Sequence, residues 1–316
     1  MKVVSTSPSF AKYSTEPIDL LRQHGIDCVQ LPADISEEAF IAQAADAQAA
    51  IVAFNAITPR VLDALPQLRI VCKHGVGVDN IDLAAAQARG VWVCNVPDSN
   101  KHAVADYTFA LLLASARKVP LADQQTKAGA WPRLFGTDVH GKTLGIIGLG
   151  NIGKEVARRA TGFSMRVIAH DPYPDTAFAQ GQGIELLPLD SLLAEADYVT
   201  LHIGLNDATR HLLDARRLAL MKPGAHLINA ARGGIIDENA LFKALEAGRL
   251  GGAALDVFEE EPANAHPLYA LPNVIASPHI AGYTPGALDL LSLTCSRNVV
   301  AALASHTRPE YVVNGL

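Results

Sequence analysis

Short apolar runs alternate with amphipathic stretches along nearly the whole chain. In the first hundred residues the runs at 2–5, 27–31, 50–53, 70–73 and 91–94 predict strands. Between them, 17–24, 36–45, 58–65 and 83–89 predict helices, the second opened by Ser36-Glu37-Glu38. Apolar runs without polar alternation belong to strands covered on both faces, so the pattern predicts one complete α/β domain with a parallel sheet. Turn residues at Asn95-Val96-Pro97-Asp98-Ser99-Asn100 then break the rhythm and read as a hinge. A long apolar helix is predicted at 103–117, followed by a loop containing Trp131-Pro132-Arg133. Further strands at 144–147, 165–169, 198–203, 226–229, 252–256 and 274–276 predict a second, larger parallel sheet. The last helix, 285–305, is long enough to cross back to the first domain, and the alanine-rich stretch 42–50 reads as plain helix.

One loop in the second pattern carries chemistry. Gly148-Leu149-Gly150-Asn151-Ile152-Gly153 follows the strand at 144–147 and opens a helical segment at 154–161. A lone glycine pattern of this kind is often only a turn, but this context favours a dinucleotide. The first glycine permits the tight turn, the second lets backbone approach a pyrophosphate, and the third allows close helix–strand packing. The helix start offers unpaired N–H groups to phosphate. Asp171 ends the next strand, where an acid grips the adenosine ribose. Its charge repels a 2′-phosphate, and Pro172-Tyr173-Pro174 brings no arginine to offset it, so the expected cofactor is NAD, not NADP.

Composition narrows the classes. The 316 residues are 49% hydrophobic and 18% charged, with a net charge of −6 and no Lys/Arg-rich run, so neither long disordered tails nor a nucleic-acid partner is indicated. Cys28, Cys72, Cys94 and Cys295 stand far apart with no CxxC pair, which suits buried, reduced thiols and no metal site. The N-terminal segment is too poor in apolar residues for a secretory leader, and no later run is expected to approach a membrane span. The expectation is a cytoplasmic protein without a membrane partner.

Three motifs fall at strand ends in the second half: Asn229-Ala230-Ala231-Arg232-Gly233-Gly234, Asp256-Val257-Phe258-Glu259-Glu260-Glu261-Pro262 and Ser277-Pro278-His279-Ile280-Ala281-Gly282. Taken singly, an arginine is usually a surface ion pair, a glutamate run a solvated loop and a lone histidine structural. Placed together at the carboxyl ends of parallel strands, they point towards one crevice. A guanidinium holds a carboxylate through two parallel bonds, a histidine moves a proton near neutral pH, and a neighbouring carboxylate fixes a histidine's tautomer. That set suits hydride exchange with a 2-oxo acid.

With these residues in view, the chain resembles the D-isomer-specific 2-hydroxyacid dehydrogenases, especially the phosphoglycerate dehydrogenase branch. The motifs that carry the resemblance run from Lys73-His74-Gly75-Val76-Gly77-Val78-Asp79-Asn80-Ile81-Asp82 through Gly141 to Gly150 and on to the three strand-end motifs, nearly the entire chain. The resemblance implies a flavodoxin-like substrate domain, 1–98 plus 285–316, with a Rossmann NAD-binding domain, 99–284, inserted into it and the active site in the cleft. It implies His279 as acid/base, Glu261 as its partner (the family pattern selects it among three glutamates) and Arg232 as carboxylate anchor. It further implies substrate contacts from backbone N–H groups near Val76 and Gly77. Asn151 and Ile152 would meet the pyrophosphate, Asp171 the ribose and Asp256 the nicotinamide amide, with Ile203, Ala230, Ala231 and Gly282 lining the nicotinamide side. Homodimers joined through the cofactor domain are common in the family, and the helix at 103–117 would suit either such an interface or plain core.

The departures matter too. Phosphoglycerate dehydrogenases usually carry a basic residue just after the third strand, whereas Val52-Ala53-Phe54-Asn55-Ala56 has none; Arg60, Lys73, Lys101 and Arg133 are the candidates to replace it. The chain ends at Leu316 without a regulatory domain, so serine feedback is not expected, Asn151 stands where many relatives have arginine, and Gly204 replaces a frequent proline. The nearest expected activity is 3-phosphoglycerate oxidation, followed by glyoxylate or hydroxypyruvate reduction. An NAD-sensing corepressor-like protein is the competing class, disfavoured by the lack of flanking tails, and a catalytically silent relative is disfavoured because all three catalytic positions are filled.

Overall fold

In the computed structural model, which describes residues 1–316, the chain forms two units: Met1–Asn100 with Tyr283–Leu316, and Lys101–Gly282. Both are α/β, and every strand pairing in both is parallel.

The first unit holds β1 (Lys2–Ser5), β2 (Asp27–Gln30), β3 (Ala49–Val52), β4 (Ile70–Lys73) and β5 (Trp92–Cys94), in the order β2-β1-β3-β4-β5. This is the doubly wound flavodoxin-like order. β3 and β4 are buried along their whole length, as the apolar runs Ala49–Val52 and 70–72 predict, and the burial extends to Lys73 at the end of β4. Helix starts are set by side-chain caps: Ser36, Thr58 and Asp82 accept from the N–H groups of Ala39, Val61 and Ala85. Helix Pro285–Val300 packs on helix Glu16–Gln23 and on β4, burying Leu288, Leu291, Cys295 and Val299.

Two expectations are corrected here and a third is met in part. The stretch 42–50 is not plain helix: the helix ends at Gln43, and Ala49 already lies in β3. Burial of Ala49 and Ala50 between two neighbouring strands overrides alanine's helix propensity. The helical segment Pro285–Ser305 is long and apolar enough to cross a membrane, contrary to expectation, yet its apolar stretch is mostly buried inside the protein, as for a core helix. Finally, three of the distant cysteines converge. Cys72 and Cys94 are register partners, and the Cys72 thiol points to the Cys295 carbonyl at 3.8 Å. The neighbouring Cys295 and Cys94 thiols, together with burial, push the Cys72 pKa up. All four cysteines are free thiols, and Cys28 is only half-buried.

The second unit holds β6 (Thr143–Ile147), β7 (Arg166–His170), β8 (Glu185–Leu186), β9 (Tyr198–Leu201), β10 (His226–Asn229), β11 (Gly252–Leu255) and β12 (Val274–Ala276), in the order β12-β11-β10-β9-β6-β7-β8. Strand order reverses between β6 and β9, the switch point where a Rossmann sheet opens its ligand crevice. Helix Lys101–Arg117 packs against helix Asn151–Ala160 and against β10 and β11, and buries Val104, Phe109, Leu111 and Leu112. It is therefore core in this unit. Two elements have no counterpart in the sequence pattern: two-residue β8 is too short to show a period, and helix Val119–Lys127 buries no residue and so leaves no apolar stripe.

Candidate active site

The glycine loop leaves β6 at the switch point. Gly148 has φ +95°, and a Cβ there would lie 2.4 Å from the His202 carbonyl oxygen and 2.7 Å from the Ile203 side chain. A Cβ on Gly153 would fall 2.1 Å from the Gly148 carbonyl oxygen, whereas one on Gly150 would meet nothing within 4 Å. The first and third glycines are thus enclosed by protein, and the second borders open space, as a backbone that receives a pyrophosphate requires. The helix starts at Asn151, inside the loop and earlier than the predicted 154, with Gly150 as its N-cap. The leading N–H groups of Asn151, Ile152 and Gly153 have no intrahelical acceptor and present the positive end of the helix to a phosphate.

Asp171 follows β7 and does two jobs. One carboxylate oxygen accepts from Leu149 N–H in the glycine loop at 2.8 Å, and the other accepts from Tyr173 N–H at 2.8 Å. A carboxylate offers about four lone-pair positions, so two remain for ribose hydroxyls. The residues present fit a dinucleotide.

The strand-end motifs also meet. His279 Nδ1 lies 2.8 Å from Glu261 Oε2, and the two side chains are 30% and 31% exposed. Burial works against ionisation of Glu261, but the hydrogen bond and charge of His279, the Phe258 N–H and the Arg232 charge outweigh it and hold the carboxyl below its ordinary range. An ionised carboxylate only accepts, so Nδ1 of His279 carries the proton in that contact. His279 also has φ +56°, a backbone region that non-glycine residues rarely occupy, held by its N–H bond to the Asp256 carbonyl at 2.8 Å. The turn carrying Arg232 is shaped by Asn229, whose side chain accepts from Ala231 N–H at 3.0 Å and donates to the Arg232 carbonyl at 2.8 Å.

Two residues hold this arrangement in ways the sequence did not announce. Asp256 is fully buried, and its carboxylate accepts from Ser277 Oγ, Ile280 N–H and Ala281 N–H at 2.6, 2.9 and 2.7 Å. It ties the end of β11 to the loop of His279 and keeps about one lone pair for any further donor. Gly233 lies so close to the glutamate loop that a Cβ would sit 1.8 Å from the Phe258 carbonyl oxygen. The double glycine was visible in the sequence; the close approach was not. Ala230 joins Val104, Ala281 and Ile152 in one small apolar cluster, Ile203 packs at Gly148, and Ala231 and Gly282 are half-buried.

In the first unit, Val76 and Gly77 follow β4, half-buried, and their N–H groups donate to no acceptor in the protein. The candidate phosphate cations are differently disposed. Arg60 is paired with Glu37 and Glu38, at 3.1 and 2.9 Å. Lys73 is buried, bonds the Ala53 carbonyl and Asn80 Oδ1, and lies over the Phe54 ring. Arg133 is exposed.

The chain is similar to known proteins over most of its length. Residues 109–281 match the family described as "D-isomer specific 2-hydroxyacid dehydrogenase, NAD binding domain". The chain is 44% identical over 258 residues to a D-3-phosphoglycerate dehydrogenase of Mycobacterium bovis, covering 81% of this chain and 49% of that protein. It spans about half the length of the mycobacterial relatives it matches. A glyoxylate reductase of Thermococcus gammatolerans is 40% identical over 306 residues, covering 93% of this chain and 92% of the relative. Among solved structures, the TT0316 protein of Thermus thermophilus superposes with a TM-score of 0.92 at 36% identity, covering 99% and 100% of the two chains.

Proposed function

The chain belongs to the D-isomer specific 2-hydroxyacid dehydrogenase family, and from that premise we propose that it exchanges hydride between NAD(H) and a small 2-hydroxy or 2-oxo acid. The contact of His279 with Glu261, on the unit that also carries the glycine loop, is the observation that supports this most directly.

NAD(H), when bound, supplies the hydride chemistry. Gly150, Asn151 and Ile152 would receive its pyrophosphate, Asp171 its ribose and Asp256 its amide, with Ile203, Ala230, Ala231 and Gly282 beside the nicotinamide. Arg232 would anchor the substrate carboxylate through its guanidinium, with Val76 and Gly77 N–H groups as further donors. His279, with Nδ1 turned to Glu261, would exchange a proton with the substrate oxygen through Nε2. In reduction that proton goes to the developing alkoxide; in oxidation it comes from the hydroxyl.

The nearest named activity is 3-phosphoglycerate oxidation. Glyoxylate or hydroxypyruvate reduction is the second reading, favoured by the commitment of Arg60 and Lys73 to partners inside the protein and by a relative matched over most of its length. Purified protein is assayed through NADH absorbance against 3-phosphoglycerate, D-lactate, D-glycerate, glyoxylate and hydroxypyruvate. Turnover of at least one is expected, and inertness towards all of them would remove the proposal.

A cytoplasmic homodimer is the assembly proposed. Trp131 and Phe135 are each 86% exposed after a helix that buries nothing, and aromatic side chains of this kind are enriched at subunit interfaces. Sedimentation of the wild type against Trp131→Ser tests it: a dimer that dissociates more readily in the variant is expected, and a monomeric wild type refutes it.

A further inference from the structure

The N–H groups of Val76 and Gly77 are oriented through the carbonyls of their own peptides, one held by a backbone N–H and the other by the side chain of Asn95, which no strand-end motif contains. The Gly75 carbonyl accepts from Val96 N–H at 2.9 Å, and the Val76 carbonyl accepts from Asn95 Nδ2 at 2.7 Å. Both peptides are trans, so each N–H points opposite to the carbonyl of the same peptide. Tethering the Gly75 and Val76 carbonyls towards the residues after β5 therefore turns the Val76 and Gly77 N–H groups the other way, side by side. Asn95 is itself held by its N–H bond to the Tyr311 carbonyl at 3.3 Å.

The other end of this loop is pinned by His74. Its N–H donates to the Val52 carbonyl at 2.8 Å, its Nδ1 lies 3.0 Å from Ser7 Oγ, and its Nε2 lies 2.9 Å from Ser292 Oγ. Ser292 spends its own proton on the Leu288 carbonyl at 2.7 Å, so it must accept from His74 Nε2–H. Nδ1 is then an acceptor for the Ser7 hydroxyl, and Ser9, 3.2 Å from Ser7 Oγ, donates to it in turn. Burial, reinforced by the Lys73 charge, lowers the His74 pKa to about 4, in keeping with a neutral ring that donates once and accepts once. The imidazole thus joins the exits of β1 and β4 to helix Pro285–Val300, and the His74 backbone N–H adds the end of β3.

We propose that Asn95 and His74 are positioning residues for substrate-carboxylate binding: they hold the peptides of Gly75, Val76 and Gly77 so that two adjacent N–H groups stand ready for an anion. This rests on the dehydrogenase reading, in which the anion is the carboxylate of the 2-oxo acid. Preorganised donors gain affinity because no rearrangement is needed on binding. Losing the tether frees the peptide to rotate and weakens binding of the acid, while leaving nucleotide binding and proton exchange alone.

The test uses the full chain, steady-state kinetics with glyoxylate or whichever oxo acid of the panel turns over fastest, and NADH binding followed by fluorescence. Asn95→Ala is expected to raise KM for the oxo acid about tenfold, the scale of one lost hydrogen bond, with kcat within about threefold. The NADH dissociation constant should not change. His74→Phe should act in the same direction, and His74→Gln, which keeps a donor for Ser292, should recover part of the loss. Unchanged KM in Asn95→Ala, or a fall in kcat without a change in KM, would overturn the positioning role, and Asn95→Ala decides it even if His74→Phe fails to fold. A wild type that reduces no 2-oxo acid would overturn the underlying reading instead, a result seen before any variant is made.

Discussion

Glu261 touches His279 with one carboxylate oxygen, at 2.8 Å from Nδ1, and with the other accepts the N–H of Phe258 at 3.1 Å. The glutamate is thereby fixed at both oxygens, and the imidazole plane and tautomer follow from it. His279→Ala should lower turnover by about 10² or more, the scale of general acid–base catalysis, with NADH binding retained. Stopped-flow and steady-state rates of the variant check this, and near-normal turnover would remove His279 from the proton path.

Gly233 is where two loops of the site meet. Gly233→Ala would place a methyl group 1.8 Å from the Phe258 carbonyl oxygen and 2.6 Å from Glu259 N. Since those atoms are backbone, the loop of Glu261 must move. The expected results are a destabilisation of about 1–3 kcal/mol and an activity loss larger than the unfolded fraction explains. Thermal unfolding and kcat measured well below Tm separate the two; a variant with wild-type activity would contradict the close approach.

Asp171 serves both nucleotide choice and the loop that binds the nucleotide. Asp171→Ala should weaken NAD binding and reduce the discrimination against NADP, because the repelling charge is gone. It also leaves Leu149 N–H and Tyr173 N–H without their acceptor, so NADP binding should improve less than NAD binding declines. Titration of both nucleotides reads this out, and an unchanged ratio of affinities would rule out the ribose role.

Stability should fall on mild acidification. Burial lowers the pKa of His74 and His226 to about 4, helped by Lys73 and Lys118 respectively, and burial lowers that of His202 to about 3. Below the ordinary value of 6.5 the unfolded chain takes up protons that the folded chain refuses. Stability is therefore fully present above pH 6.5 and declines as pH falls towards 4, by about 1.4 kcal/mol per pH unit for each such histidine. Denaturant titrations at pH 7 and 5 should show it, with a shallower decline in His226→Gln. A pH-independent midpoint would be incompatible with neutral buried imidazoles.

The glycine loop and the Arg232, Glu261 and His279 motifs were legible because each is a contiguous string whose spacing encodes local geometry. Strand β3 was equally plain, being an uninterrupted apolar run, as were β4, β6 and β10, whose polar residues lie only at their ends. Asn95, Ser277 and His74 lie in segments read from the sequence, but nothing there signalled what their side chains hold. Each acts on a partner distant in sequence, as Ser277 does on Asp256 and His74 on Ser292, and such partners have no local pattern. The alanine-rich stretch 42–50 went wrong for the opposite reason: its local preference was clear, and neighbouring strands overruled it.

By itself, then, the sequence determined the alternation of strand and helix, the nucleotide loop and the types of side chain available for proton and carboxylate chemistry, since these depend on periodicity and short-range stereochemistry. Only the tertiary structure decided that Glu261 meets His279, that Asp256 ties one strand end to the next, that Gly233 admits no side chain, and that Cys72, Cys94 and Cys295 share one core. These are contacts between segments far apart in the chain, and packing fixes them only when whole sheets and helices are in place.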